Sequence, residues 1–242
     1  MYERMDKLVG DVVNEIGENE VLMVISDHGF TDFRRGVNLN VWLKQNGYLV
    51  LQEGVKEGEY LSAVDWSKTR AYSFGLSGIY INQEGREAKG IVAKDKADVL
   101  RKELAQKLTG LIDEESKTQA IRQVYDSHMA YQGPYKGDGP DLIVGYDKGY
   151  RASWDNAVGR TDGPVFHDNT RYWSGDHCVD PSLVPGVFFS NYKWDDDNPG
   201  IIDLAPTILK LFGVNPPGYM DGKAMTRVTD TIQSETKPEA AA

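Results

Sequence analysis

The sequence has little cysteine, no long apolar run and no excess of basic residues. Cys178 is the one cysteine among 242 residues, which excludes an internal disulfide. A lone thiol is typical of a reducing compartment, and we expect a cytoplasmic protein. No apolar stretch approaches the roughly 18 residues of a membrane-spanning helix, and no basic and apolar leader opens the chain. The sequence therefore predicts neither a membrane span nor a secretion signal.

The acidic balance limits the classes of partner. Asp and Glu number 37 against 27 Lys and Arg, which gives a formal net charge of -10. A nucleic-acid backbone is bound through clustered Lys and Arg, so we do not expect one as a partner. A small anionic substrate would need a local positive site in such a protein. Bound metal ions can provide that site because they reverse the sign of the local field.

Hydrophobic periodicity predicts an α/β protein, and we expect a mostly parallel central sheet. The predicted helices are residues 5–16, 37–46, 94–111 and 203–212. The predicted strands are residues 21–26, 48–51, 70–74, 78–82, 121–125, 142–144 and 187–190, and those at 70–74 and 78–82 resemble a hairpin. The segments 131–141 and 160–185 are rich in turn-forming residues and are predicted as loops.

Asp27 and His28 come at the end of the apolar run that starts at Val21. Such a run predicts a strand covered on both faces, and ligands of open α/β sheets gather beyond the carboxyl ends of strands. Imidazole nitrogen and carboxylate oxygen are ligands of Zn²⁺ and related ions. Both side chains can serve one ion only if the backbone turns after the strand, which Gly29 permits. The dipeptide alone is a weak signal of metal binding, and its place at a strand end strengthens it.

A second Asp-His pair, Asp176-His177, lies in the predicted loop 160–185 and again adjoins a glycine. By itself it is most simply a surface turn capped by Asp176. The repetition of the pair, with Pro185 and Gly186 before an apolar strand, favours a ligand role for His177. A loop can bring such a residue to the edge of the sheet.

Several motifs occur in a fixed order along the chain. They are SDHGF at 26–30, GPDLIVGY at 139–146, GYRASW at 149–154, WSGDH at 173–177 and LVPG at 183–186. Together they resemble the type I phosphodiesterase/nucleotide pyrophosphatase family of the alkaline phosphatase superfamily. The resemblance runs from Tyr2 to about Lys223, and the ordered set is far more specific than any single motif.

The resemblance implies a three-layer α/β/α sandwich, alkaline phosphatase-like, with two divalent metal ions, Zn²⁺ or alternatively Mn²⁺, beside a Thr or Ser nucleophile. By similarity, Asp27 and His28 bind the ion that activates the nucleophile, and His177 binds the other ion. Two such ions stabilise the attacking and leaving oxygens of an in-line displacement. The implied function is hydrolysis of phosphate esters or of nucleotide pyrophosphate or phosphodiester bonds, with a small phosphorylated or nucleotide substrate.

The sequence departs from the family pattern at its start. The pattern also includes an early strand-end Asp, the nucleophile on a following helix and an Asp-x-x-x-His pair, and none of these is found. We therefore assign no catalytic residue and expect residues 1–226 to be the C-terminal part of such a domain, incomplete at the N-terminus. The remaining ligands and the nucleophile would lie in a missing N-terminal segment of the same enzyme, and this chain alone would bind metal weakly and catalyse poorly. Residues 56–135 are expected to elaborate the core, and 227–242 to form a polar, disordered tail.

Two alternatives remain open. A phosphoglycerate mutase-like or sulfatase-like member of the same superfamily would share the Asp-His pair and the later His, and its upstream sequence would distinguish it. The other alternative is a non-catalytic scaffold remnant, which would show no metal-dependent turnover.

Other polar residues receive structural interpretations. His128 and His167 are expected to be surface histidines. Residues 195–198 lack the Gly and the distant Glu of an EF-hand loop and are expected to be a solvated turn. Cys178 is expected to be a small buried thiol, because neighbouring Cys and His rarely reach the geometry that activates a nucleophile. Arg151 is compatible with binding a phosphate, with packing or with capping a helix.

Overall fold

The computed structural model describes residues 1–228, which contain six α-helices and twelve strands. The helices are α1 (Tyr2–Glu15), α2 (Leu39–Gln45), α3 (Lys94–Leu108), α4 (Ser127–Ala130), α5 (Trp154–Ala157) and α6 (Leu204–Leu211). The strands are β1 (Met23–Ile25), β2 (Thr31–Val37), β3 (Ala71–Phe74), β4 (Gly78–Ile81), β5 (Ile112–Asp113), β6 (Thr118–Gln119), β7 (Ile121–Asp126), β8 (Leu142–Tyr146), β9 (Gly149–Ala152), β10 (Phe166–Asp168), β11 (Gly175–Asp176) and β12 (Phe188–Ser190). None of these helices is both long enough and apolar enough to cross a membrane.

The chain divides into two compact units. The described part of the first unit comprises residues 1–27 and 186–228. In this unit β1 pairs with β12 in antiparallel register, and no residue of α1 is buried among the described residues. A small core lies behind the strand pair and consists of Trp194, Leu204 and Met225, with Met23 and Phe188 packed against them.

The second unit, His28–Pro185, is organised around β2. This strand pairs with β10 and β11 in antiparallel register and with β9 in parallel register. Phe33 and Val37 of β2 are buried, whereas Arg34 between them is exposed. The central position of β2 means that three later segments of the chain depend on it for their backbone hydrogen bonds.

A four-stranded antiparallel sheet of order β3-β4-β8-β7 belongs to the same unit. Helix α3 packs against β7 through residues at helical spacing, of which Ala97, Leu100, Leu104 and Leu108 are buried. They join a continuous core with residues of β3, β4 and β8. Burial of an apolar stripe of this kind supplies most of the stability of a surface helix.

The expected α/β class is confirmed. The helices predicted at 5–16, 37–46, 94–111 and 203–212 are present as α1, α2, α3 and α6, within a few residues at each end. The predicted hairpin is present as β3 and β4 in antiparallel register. The strands predicted at 121–125 and 142–144 are β7 and β8, which pair with each other, and that at 187–190 is β12.

The expectation of a mostly parallel sheet is wrong for the described residues. The pair of β2 and β9 is the one parallel pair among the named strands of residues 1–228. The strand β1 is also not covered on both faces, since Ile25 is 48% exposed. An apolar run signals strand formation but carries no information about the direction of its partner or about what covers its faces, and this explains both errors.

Three further boundaries differ from the predictions. Residues 48–51 make only an isolated bridge between Leu51 and Val64. The loop predicted at 160–185 contains β10 and β11, which are too short to show a period of their own. Strand β2 was not predicted, because its polar residues hide the alternation. The predicted tail at 227–242 lies outside the described residues from position 229, and the elaboration at 56–135 stays a prediction.

Candidate metal centre

His28 lies just after the first strand, at a sharp change in chain direction. Strand β1 ends at Ile25, and Asp27 is exposed in a bend two residues later. His28 is half-buried, and the next residue, Gly29, donates its N–H to the carbonyl of Val184 at 2.9 Å. The strand-end position predicted for the Asp27-His28 pair is therefore present.

The short antiparallel ladder between β2 and β11 brings His177 close to His28. Asp32 is opposite Gly175, and Thr31 is opposite Asp176. In antiparallel pairing the residue before Thr31 and the residue after Asp176 become neighbours, which places His177 beside the segment that follows His28. The ladder explains how residues at positions 28 and 177 meet.

The imidazole rings of His28 and His177 are stacked. Their centroids are 3.8 Å apart and their planes are within 9° of parallel. Phe30, which is 69% exposed, stands edge-on to both rings at 5.4 and 5.6 Å. The structure thus places two imidazoles and one aromatic ring in a single exposed group.

A backbone hydrogen bond orients the His28 ring. Its Nδ1 lies 2.9 Å from the carbonyl oxygen of Gly29, and because a carbonyl only accepts, Nδ1 carries the proton. In the neutral imidazole this leaves the lone pair on Nε2, the arrangement that a carbonyl partner commonly imposes on a metal-binding histidine. A Cβ on Gly29 would come within 3.0 Å of the carbonyl oxygen of Pro185, so glycine keeps this turn close.

Asp176 is the buried anchor of the segment that carries His177. Its Oδ1 accepts the backbone N–H groups of His177 and Cys178 at 2.8 and 2.9 Å. Its Oδ2 accepts the indole N–H of Trp173 at 3.0 Å and lies 3.2 Å from Nη1 of Arg151. Burial opposes the charged form of Asp176, but the N–H of Cys178, the Arg151 charge and Trp173 outweigh it and lower its pKa. The residue is therefore a carboxylate with both oxygens engaged.

Asp176, His177 and Cys178 also form a cluster of potential metal ligands, with their ligand atoms within 4.8 Å of one another. Both oxygens of Asp176 are already engaged with donors, one of which belongs to a cation. Burial, with the charge of Asp176, raises the pKa of the Cys178 thiol, and the thiol is a poor ligand compared with the thiolate. The imidazole of His177 is accordingly the donor in this cluster best suited to an ion.

The donor types suit borderline divalent metal ions. His28 and His177 offer imidazole nitrogens, and the exposed Asp27 offers a carboxylate directly before His28 in the chain. Imidazole and carboxylate suit these borderline ions, and exposure leaves room for water or substrate.

Other singled-out residues lie elsewhere. His128 of α4 is half-exposed, with Nε2 3.7 Å from Oδ1 of Asp141, and residues 195–198 are an exposed turn, as predicted. His167 is half-buried on β10 opposite Gly36, where a Cβ on Gly36 would lie 2.9 Å from its Nε2. His167 is therefore only partly solvent-facing, because β10 pairs with β2, and that pairing was not visible in the sequence.

The structure also bears on two neighbours of the candidate centre. Cys178 is half-buried instead of fully buried. Of the three roles considered for Arg151, the structure shows packing, since the side chain is buried against Phe33 and Trp154. The capping of the turn by Asp176 was predicted, but its burial against Arg151 and Trp173 and the edge-on Phe30 were missed, although both residues belong to the motifs that carry the family resemblance.

Comparison with protein families supports these motifs. The family model described as "Type I phosphodiesterase / nucleotide pyrophosphatase" matches residues 1–177. The matched region begins at Met1, directly before α1, and ends at His177, so it includes Asp27, His28 and the ladder of β2 with β11. No curated protein matches the chain.

Proposed function

The chain belongs to the type I phosphodiesterase/nucleotide pyrophosphatase family, and on this premise we propose that it serves metal-dependent hydrolysis of phosphate esters or of nucleotide phosphodiester or pyrophosphate bonds. The observation that carries the proposal is the parallel contact of the His28 and His177 rings. Membership of this family favours such hydrolysis over the mutase-like and sulfatase-like alternatives.

We assign the two histidines to different ions. The lone pair of an imidazole nitrogen lies in the plane of the ring, and the two planes are within 9° of parallel at 3.8 Å. Lone pairs in parallel planes do not converge on one point, so one ion between the rings is a poor fit. Two-metal hydrolases hold their ions about 3.5–4 Å apart, and a stacked pair of rings suits that arrangement. Asp27 and His28 would hold one ion, and His177 the other.

The proposed ions explain how a negatively charged protein can bind a phosphate. With a formal net charge of -10, the chain repels a phosphate at long range unless cations are present at the site. Bound divalent ions would neutralise the transferring phosphoryl group and polarise its oxygens. In this proposal the chain supplies the ligands Asp27, His28 and His177 and holds them in position. Phe30 offers an exposed apolar surface beside the two histidines.

The proposal places the nucleophile and the remaining ligands outside this sequence. The support is the absence of the family's strand-end Asp, Thr or Ser nucleophile and Asp-x-x-x-His motifs from the sequence given. The substrate would be a small phosphorylated compound or a nucleotide. The cytoplasmic location stays a prediction.

Metal titration tests the assignment of the ligands. We expect isothermal titration with Zn²⁺ and with Mn²⁺ to detect binding to the unmodified chain, and His28→Ala and His177→Ala each to weaken it about 10-fold or more. His128→Ala is the matched control. It removes a half-exposed imidazole that lies next to Asp141 and outside the candidate centre, so metal binding should be unchanged. Equal affinity of His28→Ala and the unmodified chain would contradict the proposal.

A hydrolysis assay tests the location of the nucleophile. We expect this chain alone to leave bis(p-nitrophenyl) phosphate intact in the presence of Zn²⁺ or Mn²⁺. Rapid turnover that is abolished by changing a residue of this chain would show that the nucleophile lies within it.

A further inference from the structure

Arg151 is the most deeply buried cation near the candidate centre. Its side chain on β9 is 2% exposed. The guanidinium lies between two aromatic faces, 4.8 Å from the ring centroid of Phe33 and 4.1 Å from that of Trp154. Stacking of this kind holds the plane of a guanidinium and favours Arg over Lys. The side chain has almost no surface left for contact with a substrate.

The carboxylate that Arg151 faces is Asp176. Nη1 lies 3.2 Å from Oδ2, and both side chains are at most 4% exposed. The opposite oxygen of Asp176 accepts the N–H groups of His177 and Cys178. A continuous path of contacts therefore runs from the guanidinium to the backbone of His177.

The hydrogen bonding of Arg151 is unusually incomplete for a buried cation. Its Nε and Nη2 have no hydrogen-bond partner among the described residues. By contrast, Arg86 binds Asp141 through both Nη atoms and also donates to the carbonyl of Ile81. Burying a charge with one partner is costly, and replacement by apolar residues is often neutral or stabilising. Packing alone therefore does not explain why position 151 holds an arginine and not an apolar residue.

The segment that carries His177 is held by contacts on both sides of the histidine. Strand β11 contributes two residue pairs to its ladder with β2. Beyond Asp176 its carboxylate accepts the N–H groups of His177 and Cys178, and backbone hydrogen bonds from Val179 to His177 at 2.8 Å and from Asp180 to Tyr146 at 2.9 Å follow. Among these contacts, the carboxylate of Asp176 binds the N–H of the residue that bears the imidazole, so its orientation acts directly on the His177 backbone.

We propose that Arg151 is a positioning residue that fixes the orientation of His177 through Asp176. This inference rests on the proposed function of His177 as a metal ligand. Arg151 itself contacts neither the ion nor the substrate. The charge and planar shape of the guanidinium hold Asp176, and Asp176 holds the segment of His177.

The metal affinity of Arg151 variants tests whether this residue positions His177. Isothermal titration with Mn²⁺ is expected to show about 10-fold weaker binding for Arg151→Gln and an intermediate loss for Arg151→Lys, which keeps the charge but not the planar fork. Arg35→Gln is the matched control: Arg35 is also largely buried, at 13% exposure, but it pairs with Asp113 and should leave the affinity unchanged.

Asp176→Asn should weaken binding as much as Arg151→Gln, and the double variant should lose no more than either single change.

A metal-free readout separates positioning from simple loss of stability. In NMR spectra of the imidazole nitrogens, Arg151→Gln should shift the signals of His177 and leave those of His128 unchanged. A folded Arg151→Gln with unmodified Mn²⁺ affinity and unchanged His177 signals would overturn the inference. If Arg151→Gln does not fold, Arg151→Lys and Asp176→Asn decide by the same criteria. Absence of Mn²⁺ binding by the unmodified chain would contradict the proposed function, while the His177 signals would still test the positioning.

Discussion

Gly186 lies against Ser26 at a distance that only glycine allows. A Cβ on Gly186 would come within 2.3 Å of the carbonyl oxygen of Ser26. The N–H of Ser26 donates to the carbonyl of Val187, and the N–H of Val187 donates to Oγ of Ser26, both at 3.0 Å. The two backbones cannot separate without loss of these hydrogen bonds. The end of β1, directly before Asp27, therefore depends on glycine at position 186.

Substitution of this glycine should destabilise the protein. Gly186→Ala is expected to lower the free energy of unfolding by about 1–3 kcal/mol, because the added methyl group meets rigid backbone. Gly218→Ala is the control: a Cβ there meets nothing within 4 Å, and the expected change is within about 0.5 kcal/mol. Urea unfolding followed by circular dichroism measures both. Equal midpoints for the two variants would contradict the close contact.

Replacing the thiol next to His177 distinguishes two possible ligand sets. If His28 and His177 are the imidazole ligands, Cys178→Ala should retain the Zn²⁺ affinity of the unmodified chain, whereas His177→Ala should lose it. The cluster of Asp176, His177 and Cys178 predicts the opposite for the thiol, since all three would be ligands. Zn²⁺ titration of both variants decides. Equal losses in Cys178→Ala and His177→Ala would favour the cluster.

Asp180 should make the stability depend on acid pH. The residue is 1% exposed, and its carboxylate accepts the N–H and Oγ–H of Ser182 and the hydroxyl of Tyr125. Burial opposes ionisation, but the hydrogen bonds from Ser182 and Tyr125 outweigh it and lower the pKa of Asp180. Since the folded pKa is below the unfolded value of about 4, the stabilisation is complete above that pH. It is lost as the pH falls through the folded pKa.

The variant Asp180→Asn should therefore be less stable than the unmodified chain by about 1–3 kcal/mol at pH 7. The difference should shrink as the pH is lowered from about 4 towards 2, because the unmodified carboxylate becomes protonated. Urea unfolding at pH 7, 5, 4, 3 and 2 follows this convergence. Tyr125→Phe is the control, since it removes one donor but keeps the acid response. A difference that does not vary with pH would contradict the assignment.

Elements with a strong local pattern were predictable from the sequence. Helix α3 shows its buried stripe as leucines at helical spacing, and the hairpin of β3 and β4 has Gly75 in a left-handed conformation at its turn. In each case the information lies within one segment. The same applies to the predicted strands β7 and β8, in which Ile121, Val124, Leu142 and Val144 are buried.

Elements that depend on distant partners were not predictable. Strand β2 carries Asp32, Arg34 and Arg35, and its two arginines are paired with carboxylates at the surface or from other segments. Its role becomes visible only with its three partner strands in place. Strand β11 has two residues, too few for any period.

The candidate centre was predictable in part. The motifs identified Asp27, His28 and His177, and the structure brings the rings of His28 and His177 into contact, while their role as ligands stays a prediction. The link from Arg151 to Asp176 was not predictable, because nothing in the GYRASW motif shows that its arginine is buried towards a later segment.

The ladder of β11 with β2 has a thermodynamic consequence. The ladder has two residue pairs and one further hydrogen bond from Phe33 to Ser174, so we expect it to open at a lower free-energy cost than the sheet of β3, β4, β8 and β7. A molecule that requires both imidazoles binds only the closed ladder and, by mass action, favours closure. Amide exchange and proteolysis of residues 175–177 should then slow in proportion to occupancy, which makes this short strand a reporter of whether the centre is filled.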